Sequence, residues 1–420
     1  MKPTFHFFLL LAMAGMLSSA SCDKNDNGVP TGELPDPIRV ELRSVEQEMV
    51  SADQSFAFEF FENVFLEEAG SDDENFMVSP LSLSMALAMT SNGAAGETKS
   101  VMREALELGA YPDEEVNGYY KKLKEALLKT DPSTKLSIAN AIFTNKHIEI
   151  KRDFINTNRS FYDATVKPVD FDDPRTVGII NGWASENTNG LIKQVIDKTD
   201  PMDLMYLLNA IYFKGIWTTE FDPKETSKKP FTTAGGVRTN VDMMHQTAKF
   251  NYMADEILQL VQLPYGNEAF SMMVMLPTEG KGLNDLIKAV REDAYWSNSR
   301  SRLRETEVVL SLPKFKTTYS TKLNDVLAKM GMGLAFTNSA DFSGMSDHAA
   351  KIDFVKQDTY ISTDEVGTEA AAVTTVGIMF TSMPIEPERV VFNANRPFLY
   401  LIQENSTGAI LFMGAVKNFD

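Results

Sequence analysis

The chain is poor in the side chains that most often build catalytic and metal sites, with four histidines and one cysteine among 420 residues. His6 falls in an N-terminal apolar stretch, and none of His147, His245 and His348 stands beside a recognisable catalytic partner. Neither a Gly-x-Ser-x-Gly nor a His-Glu-x-x-His motif occurs in the sequence. The sequence therefore argues against an enzyme, and it predicts no metal site and no cofactor.

Positive charge is also scarce, because 40 lysines and arginines face 58 acidic residues and the formal net charge is −18. An acidic surface argues against nucleic acid as a partner, since phosphate backbones are bound by basic side chains. A single cysteine cannot close an internal disulfide. With 43% hydrophobic residues and no recognisable linker, residues 51–420 predict one globular domain, which we expect to be monomeric.

The N-terminus has the pattern of a bacterial lipoprotein signal that ends at Cys22. Residues 1–21 combine a lysine, an apolar run at 5–17 and four small residues, and the run is too short for a comfortable membrane span. We predict a signal peptide over 1–21 and lipidation of Cys22, which would anchor the protein to a membrane of the bacterial cell envelope. Because Ser19 stands where such sites usually carry leucine, ordinary cleavage after Ala20 stays open.

Residues 22–50 contain three prolines and a polar run, which predict a flexible tether ahead of the domain. Ser51-Ala-Asp-Gln54 has the form of a capping box, so we expect the first helix to begin there. Hydrophobic periodicity predicts further helices at 80–89, 99–108 and 117–128, and strands at 258–263, 270–276, 308–312, 390–392, 398–402 and 410–413. The last two strands are expected to form a hairpin. Helices that cluster early and strands that cluster late suggest an α+β fold.

Residues 365–375, Glu-Val-Gly-Thr-Glu-Ala-Ala-Ala-Val-Thr-Thr, give contradictory local signals. The Glu-Ala-Ala-Ala run favours a helix, whereas the glycine and the threonine and valine residues favour a loop or strand. On local grounds an ordinary turn of surface helix is the simplest interpretation. A segment of small side chains without a firm preference could instead change its structure.

Motifs in a fixed order along the chain resemble those of the serpin family. They lie at 75–82 (Asn-Phe-Met-Val-Ser-Pro-Leu-Ser), 93–98 (Gly-Ala-Ala-Gly-Glu-Thr), 181–183, 188–190, 207–217, 312–315 (Leu-Pro-Lys-Phe), 341–345, 392–398 and 412–414. The resemblance covers residues 52–420. It implies a serpin fold with three β-sheets, about nine helices and an exposed reactive-centre loop, of which residues 365–375 would form the hinge.

The resemblance also implies a suicide-substrate inhibitor. A protease would attack the loop and become acylated, and the cleaved loop would insert into the central sheet as a new strand. The hinge residues so implied are Glu365, Gly367, Thr368, Glu369, Ala370, Ala371, Ala372 and Thr374. Strand alternation places the even-numbered members from 368 to 374 on one face, where all side chains are small and uncharged. The pattern therefore meets the requirement for burial in a sheet.

Family position assigns restraints at the mouth of the sheet. Glu365 is expected to face Lys314 as an ion pair, and Trp217 is expected to cap the opening. An ion pair of this kind contributes little if it is solvent-exposed.

A second group matches the polar cluster beneath the sheet through which the strand must slide. Its members are Ser79, Ser82 and Asn209, together with Gln357, which stands where relatives often carry a histidine. Because an amide still donates and accepts hydrogen bonds, we expect altered energetics and not a loss of function. Simple helix capping is the alternative role for the two serines.

The usual spacing from the hinge places the reactive bond at Thr381–Ser382. Counting from the C-terminal motif leaves Phe380, Met379 and Met383 open as alternatives. None of these residues is basic, which argues against trypsin-like targets. They suit elastase-, chymotrypsin-, subtilisin- or papain-like endopeptidases.

Two other functions compete with inhibition. A non-inhibitory serpin could act as a surface binding protein, but such members usually carry bulky, charged or proline residues in the hinge. A solute-binding lipoprotein would fit the tether, but not the loop or the serpin motifs.

Overall fold

The computed structural model of the chain describes residues 34–68, 74–292, 294–368 and 389–419. The predicted signal peptide, Cys22 and residues 369–388 of the predicted loop lie outside these ranges. Among the described helices, none is long and apolar enough to cross a membrane.

Nine α-helices and one short 3₁₀ helix occur in the described residues, in agreement with the expected number. They are α1 (Ser44–Glu68), α2 (Pro80–Ser91), α3 (Gly96–Ala105), α4 (Asp113–Leu127), α5 (Arg152–Tyr162), α6 (Arg175–Asn187), α7 (Leu283–Arg291), α8 (Tyr295–Ser301), α9 (Asn324–Lys329) and the 3₁₀ helix Met332–Phe336. Helices α2, α3 and α4 confirm the three predicted from periodicity, with ends shifted by a few residues.

Fifteen strands are present in the same ranges. They are β1 (Phe76–Val78), β2 (Lys135–Asn145), β3 (Thr165–Val169), β4 (Met205–Ile216), β5 (Ser227–Thr232), β6 (Arg238–Ala254), β7 (Leu258–Tyr265), β8 (Phe270–Pro277), β9 (Arg304–Pro313), β10 (Phe315–Lys322), β11 (Lys356–Thr363), β12 (Gly367–Thr368), β13 (Val390–Asn393), β14 (Phe398–Glu404) and β15 (Ile410–Val416). The six strands predicted from sequence are all confirmed, and β14 and β15 form the predicted antiparallel hairpin. The α+β class is confirmed as well.

The strands form a six-stranded sheet and a nine-stranded sheet. The six-stranded sheet has the order β10-β11-β12-β4-β2-β3. The other runs β1-β15-β14-β8-β7-β6-β9-β13, with β5 paired to β6. Strand β6 pairs with β5 and β9 along residues 238–252 and with β7 at 251–254, so it joins two expected sheets into one ladder. The three sheets implied by the family therefore appear as two hydrogen-bonded ladders.

The main core lies between the two sheets and the N-terminal helices. Strands β8, β14 and β15 are buried along their whole length, which explains their nearly continuous apolar sequences. Phe56, Phe60 and Val64 follow helical spacing on α1 and are buried, as the periodicity predicts. Helix α2 is buried on nearly every side, and its serines and alanines permit this close packing.

Helix α1 begins at Ser44, so the capping box predicted at Ser51 is wrong. Ser51 lies inside the helix, where its hydroxyl donates to the carbonyl of Gln47 at 3.2 Å. The start is instead marked by Glu46, whose carboxylate accepts from the Arg43 backbone N–H at 2.6 Å. The predicted tether, residues 22–50, is accordingly too long at its C-terminal end, since residues 44–50 are helical and Met49 is buried.

Candidate functional site

A gap divides the six-stranded sheet between β11 and β4. The two-residue strand β12 is the single described strand between them. Its residue Gly367 pairs with Ile216, and Thr368 pairs with Gly215 on one side and Thr363 on the other. We call this end of the sheet the hinge end. Along the rest of β11 and β4, no described strand pairs with the two edges that face each other. Unpaired strand edges are the docking surface that an additional strand needs.

A cavity of about 170 Å³ occupies the gap toward the opposite end of β4, which we call the far end. Apolar side chains from α2, α6 and β4 form much of its wall, among them Leu83, Trp183 and Leu207. The polar lining includes the predicted residues Ser79, Ser82, Asn209 and Gln357. The structure therefore brings the four predicted residues of the polar cluster together at one place in the gap.

Gly367 enters the sheet where no side chain fits. A Cβ at this position would collide with the carbonyl oxygen of Gly215 and the Cα of Ile216. Because both obstacles are backbone atoms that belong to the neighbouring strand, they cannot move aside cheaply. The glycine thus permits the hinge to approach β4 closely enough to pair with it.

Thr368 is already buried in the sheet, with 2% of its surface exposed. Its Oγ1 lies 2.6 Å from the hydroxyl of Tyr265 on β7, and 3.5 Å from Oγ1 of Thr363. Burial raises the pKa of the Tyr265 phenol, so this hydroxyl stays protonated and can donate. The side chain thus points inward, as the predicted alternation requires.

Trp217 closes the hinge end of the gap, the position that the family resemblance predicts for it. Its ring stacks on Tyr265 with centroids 4.4 Å apart and an interplanar angle of 11°. The indole N–H donates to the carbonyl of Asp364 at 2.9 Å, and the backbone N–H donates to the carbonyl of Val366 at 2.8 Å. The tryptophan thus holds both the backbone ahead of the hinge and the tyrosine that contacts it.

Glu365 makes the predicted ion pair, with Lys314 Nζ 2.8 Å from its Oε2. The hydroxyl of Thr226 donates to the other carboxylate oxygen at 2.9 Å. Burial alone would raise the pKa of Glu365, but the hydrogen bonds from Lys314 and Thr226 hold it below its ordinary value. The carboxylate is 12% exposed and the lysine 38%, so the pair is partly shielded from solvent.

Gln357 pairs with the backbone of Ser79 as a neighbouring strand would. Its Oε1 accepts from the Ser79 N–H and its Nε2 donates to the Ser79 carbonyl, both at 2.9 Å. The Ser79 hydroxyl donates to the carbonyl of Leu411 at 2.7 Å, and it also caps α2 by accepting from the Ser82 N–H at 3.4 Å. Capping and cluster membership, the two alternatives for Ser79, therefore both hold.

A chain of side-chain hydrogen bonds continues from α2 to β4 and on to the adjacent strand β2. Ser82 donates to the Oδ1 of Asn209 on β4, and Asn209 donates to the Oδ1 of Asn140 on β2 at 2.7 Å. Asn140 in turn donates to the carbonyl of Tyr162 at 2.8 Å. The chain contains no titratable group at neutral pH, because amides and hydroxyls carry all of its contacts.

Sequence reasoning missed three residues of this site: Tyr265, Thr226 and Asn140. Each lies far along the chain from its partner, and each occupies an ordinary strand or loop position. The only sequence signal for Asn140 is an amide flanked by apolar residues within a predicted strand region. In the structure it pairs directly with Asn209 in the β2–β4 register. No comparable signal marks the other two residues.

Several predicted residues lie outside the described ranges. They are Glu369, Ala370, Ala371, Ala372 and Thr374 of the hinge, Thr381 and Ser382 of the reactive bond, its alternatives Met379, Phe380 and Met383, and Cys22. Across the described residues, no group of three or more His, Cys, Asp or Glu side chains is placed to hold a metal ion.

Comparisons with known proteins agree with this geometry. A solved structure of the thermophilic serpin tengpin in its native state superposes with a TM-score of 0.80 and 32% identity, over 92% of this chain and 97% of that one. An uncharacterized serpin-like protein of Thermococcus kodakarensis is 34% identical, over 89% of this chain and 86% of its own length. Intracellular coagulation inhibitor 2 of Tachypleus tridentatus is 36% identical, over 82% and 86%.

The family model described as serpin (serine protease inhibitor) matches residues 51–419. This range includes every described residue of the hinge end, the gap and the polar chain beneath it. The match also agrees with the range over which the ordered motifs were recognised. The chain belongs to the serpin family.

Proposed function

We propose that the protein is an inhibitory serpin that traps endopeptidases as covalent acyl complexes. The observation that carries this proposal is the gap between β11 and β4, whose hinge end is filled by Gly367 and Thr368 and along whose remainder no described strand is paired. Strand alternation after Thr368 predicts that the inward positions 370, 372 and 374 carry small, uncharged residues, whereas the charged Glu369 falls on the outward face. The similarity to a protein named as a coagulation inhibitor supports the same function.

In the proposed reaction, the protease nucleophile attacks the carbonyl carbon of Thr381. The peptide bond to Ser382 breaks, and the new amine leaves with a proton supplied by the protease. The acyl group stays on the protease because strand insertion pulls the ester or thioester bond away from the catalytic groups of the protease before water can hydrolyse it. This chain supplies the acyl group and the energy of insertion, while the protease supplies the catalytic groups.

The register of β12 defines where the inserted strand would lie. Since Thr368 pairs with Gly215, the next ten residues would pair with β4 from residue 214 back to 205. In this register Thr374 falls between Asn209 and Gln357, at the polar chain. Its hydroxyl would meet amide groups there, whereas the side chain of Ala370 would face inward where the neighbouring strands are apolar. The side-chain order of the hinge therefore suits the order of the gap lining.

Insertion has to release enough energy to hold a protease. About ten new ladder hydrogen bonds at about 1 kcal/mol net each would give on the order of 10 kcal/mol. This is comparable to the whole stability of a typical domain. The proposal therefore treats the native molecule as metastable until its loop is cut.

The targets we propose are elastase-, chymotrypsin-, subtilisin- or papain-like endopeptidases, since no residue at the candidate bonds is basic. Mass spectrometry of the released C-terminal fragment with several proteases identifies the bond that each one cuts. We expect cleavage at Thr381–Ser382 or at a neighbouring candidate. A cut after a lysine or arginine elsewhere would contradict the assignment.

Anchoring through Cys22 at a bacterial envelope is part of the proposal, supported by the sequence pattern of residues 1–22. Mass analysis of the N-terminal peptide from membranes tests it, because lipidation adds a fixed acyl mass to Cys22. An unmodified peptide that begins at Ser21 would instead show ordinary cleavage after Ala20.

A denaturing gel and a thermal unfolding measurement together test the function itself. Incubation with elastase should give a complex that survives detergent, and the loop-cleaved protein should unfold at a markedly higher temperature than the native protein. A binding protein without insertion would give neither result. Cleavage without any stable complex, and without a rise in the thermal midpoint, would contradict the proposal.

A further inference from the structure

The cavity in the gap is walled mainly by apolar side chains from four parts of the fold. These parts are α2, α6 with the segment that follows it, β4, and the segment ahead of β11. They contribute, among others, Leu87, Trp183, Ile192, Leu207, Ile352 and Phe354. The cavity is therefore a pocket between packed elements and not a flat patch of surface.

Part of this apolar lining stays exposed. Ile192, Leu207 and Phe354 are each only half-buried, and the cavity is partly open to solvent. Removing apolar surface from water is the main favourable contribution to most association. A small apolar molecule that enters the cavity therefore gains free energy by covering these side chains.

The volume of the cavity limits what fits. At about 170 Å³ it is slightly larger than an apolar cavity of about 150 Å³ that binds benzene. One aromatic ring with a short substituent fills a space of this size, whereas a steroid is too large for it.

One end of the cavity offers hydrogen-bond donors. The side-chain nitrogen of Asn209 donates to Asn140, and that of Gln357 donates to the carbonyl of Ser79. Each amide nitrogen carries two hydrogens, and within the described part of the chain neither has a second acceptor. Since both amides line the cavity, a ligand oxygen that accepts a hydrogen bond would find a donor there.

The charged side chains of the lining favour a neutral ligand. Lys351 pairs with Asp353 at 3.4 Å and Lys356 pairs with Asp358 at 3.0 Å, and all four line the cavity. Because each of these lysines already has a carboxylate partner, neither is left to neutralise a charged ligand. The lining thus suits an uncharged carbonyl group.

We propose that the cavity of the native protein is a binding site for a small, neutral aromatic carbonyl compound. The ring lies among the apolar side chains, and the carbonyl oxygen accepts from Asn209 or Gln357. The site itself depends only on the described lining, whereas its consequence rests on the proposed inhibitory function. Residues 205–211 of β4 line the cavity and are also those with which an inserted strand would pair, so a bound ligand and an inserted strand exclude each other.

Calorimetric titration of the native protein tests the site with two probes of the same shape, acetophenone and α-methylstyrene. The second probe has a methylene group in place of the carbonyl oxygen. A cavity without a donor would reject the ketone, because burying a carbonyl without a hydrogen bond is costly. We expect both probes to bind one-to-one, with dissociation constants within about fivefold of each other. A greater loss for the ketone, or no saturable binding of either probe up to about 1 mM, would overturn the assignment.

A pair of variants locates the bound probe. Ala86→Leu adds three carbon atoms to the lining from α2, and it should weaken the binding of both probes at least about tenfold. Ala126→Leu adds the same atoms on α4, which does not line the cavity, and it should bind as the wild type does. Equal binding by the two variants would place the probes elsewhere and overturn the site. The comparison of the two probes uses the wild type, so it decides the question even if a variant fails to fold.

The loop-cleaved protein separates the site from the proposed function. If the inserted strand fills the gap, cleavage by elastase should weaken the binding of both probes at least about tenfold. Equal binding by the native and cleaved proteins would support the site and contradict insertion. No binding by the native protein, together with a detergent-stable elastase complex, would contradict the site and support inhibition.

Discussion

The hydroxyl of Tyr265 lies 2.6 Å from Oγ1 of Thr368, so a strand of one sheet holds a hinge residue that is already paired in the other. Both side chains are buried, and Trp217 stacks on the tyrosine ring. Under the proposed function, Thr368 already occupies the site that it would keep after loop cleavage. Under the proposed function, insertion starts at residue 369 and not at the mouth of the sheet.

Replacing Tyr265 with phenylalanine should lower the free energy of unfolding by about 1 kcal/mol, the net value of one buried hydrogen bond. The loss should be the same in the native and loop-cleaved forms, because the contact exists in both. Denaturant unfolding of the two forms measures it. Tyr252→Phe is the control, since that hydroxyl is half-buried and makes only a 3.3 Å contact to Gln259. A loss confined to the cleaved form would mean that the hinge enters the sheet only after cleavage.

Thr368→Arg should convert the protein from an inhibitor into a substrate. The position is 2% exposed, and a guanidinium without a partner there would cost several kcal/mol, so the hinge could not stay in the gap. Elastase should cleave this variant fully without forming a stable complex on a denaturing gel. Thr368→Val keeps the shape without the charge, and it should still form the complex. A stable complex with the arginine variant would exclude insertion at this position.

Gln357→Ala should destabilise the native protein by about 2 kcal/mol, because it leaves the buried N–H of Ser79 without a partner. The Ser79 carbonyl loses the amide of Gln357 but keeps the backbone N–H of Leu83 as a donor. Urea unfolding at neutral pH measures the loss. Gln194→Ala is the matched control, since that amide is exposed and bonds only to Asp197. It should change stability by less than about 0.5 kcal/mol. Equal effects from the two variants would show that the amide pairing with Ser79 contributes nothing.

The secondary structure was largely predictable because burial imposes a period on the sequence. Strand β7 alternates and β8 is nearly continuously apolar, and both are predictable from these patterns alone. The start of α1 was not, because Ser51 and Gln54 imitate a helix cap inside a long helix. The decisive signal lies upstream, where the Glu46 carboxylate caps the first turn.

The site was predictable only where family position supplied the partner. Lys314 and Glu365 lie 51 residues apart, and no local pattern connects them. The contacts of Thr226 and Tyr265 depend on how two sheets pack at one corner, which a single sequence does not encode locally. Asn140 was the one accessible clue, because a polar amide in a buried strand needs a partner.

Lys314→Met should weaken the native state at neutral pH but not in acid. The pKa of Glu365 is lower in the folded protein than its ordinary value, so its contribution is present above about pH 4.5 and is lost as the pH falls through the folded pKa. We expect a loss of at most about 1 kcal/mol at pH 7, since the lysine is partly exposed. Unfolding midpoints of both proteins should converge in acid. Lys249→Met, which breaks an exposed pair with Glu305, should show no such pattern.

Asp53 on α1 is a buried carboxyl held by two tyrosines of α4. Tyr119 donates to its Oδ2 at 2.6 Å and Tyr120 to its Oδ1 at 2.8 Å. Burial raises the pKa of Asp53 to about 6, and the tyrosine hydrogen bonds only partly offset this effect. The folded protein therefore binds a proton at Asp53 more tightly than the unfolded chain does.

This linkage predicts that the native state gains stability as the pH falls from 7 to 5. The gain from Asp53 should be about 1 kcal/mol, because the folded pKa lies inside this window and the unfolded one lies below it. Asp53→Asn has no proton to bind, so its free energy of unfolding should lack this increment. Urea unfolding of both proteins at the two pH values measures the difference, and Asp172→Asn at an exposed position serves as the control. If the Asp53 variant and the wild type change in parallel with pH, the carboxyl is ionised across the whole range and its burial is compensated by the tyrosines.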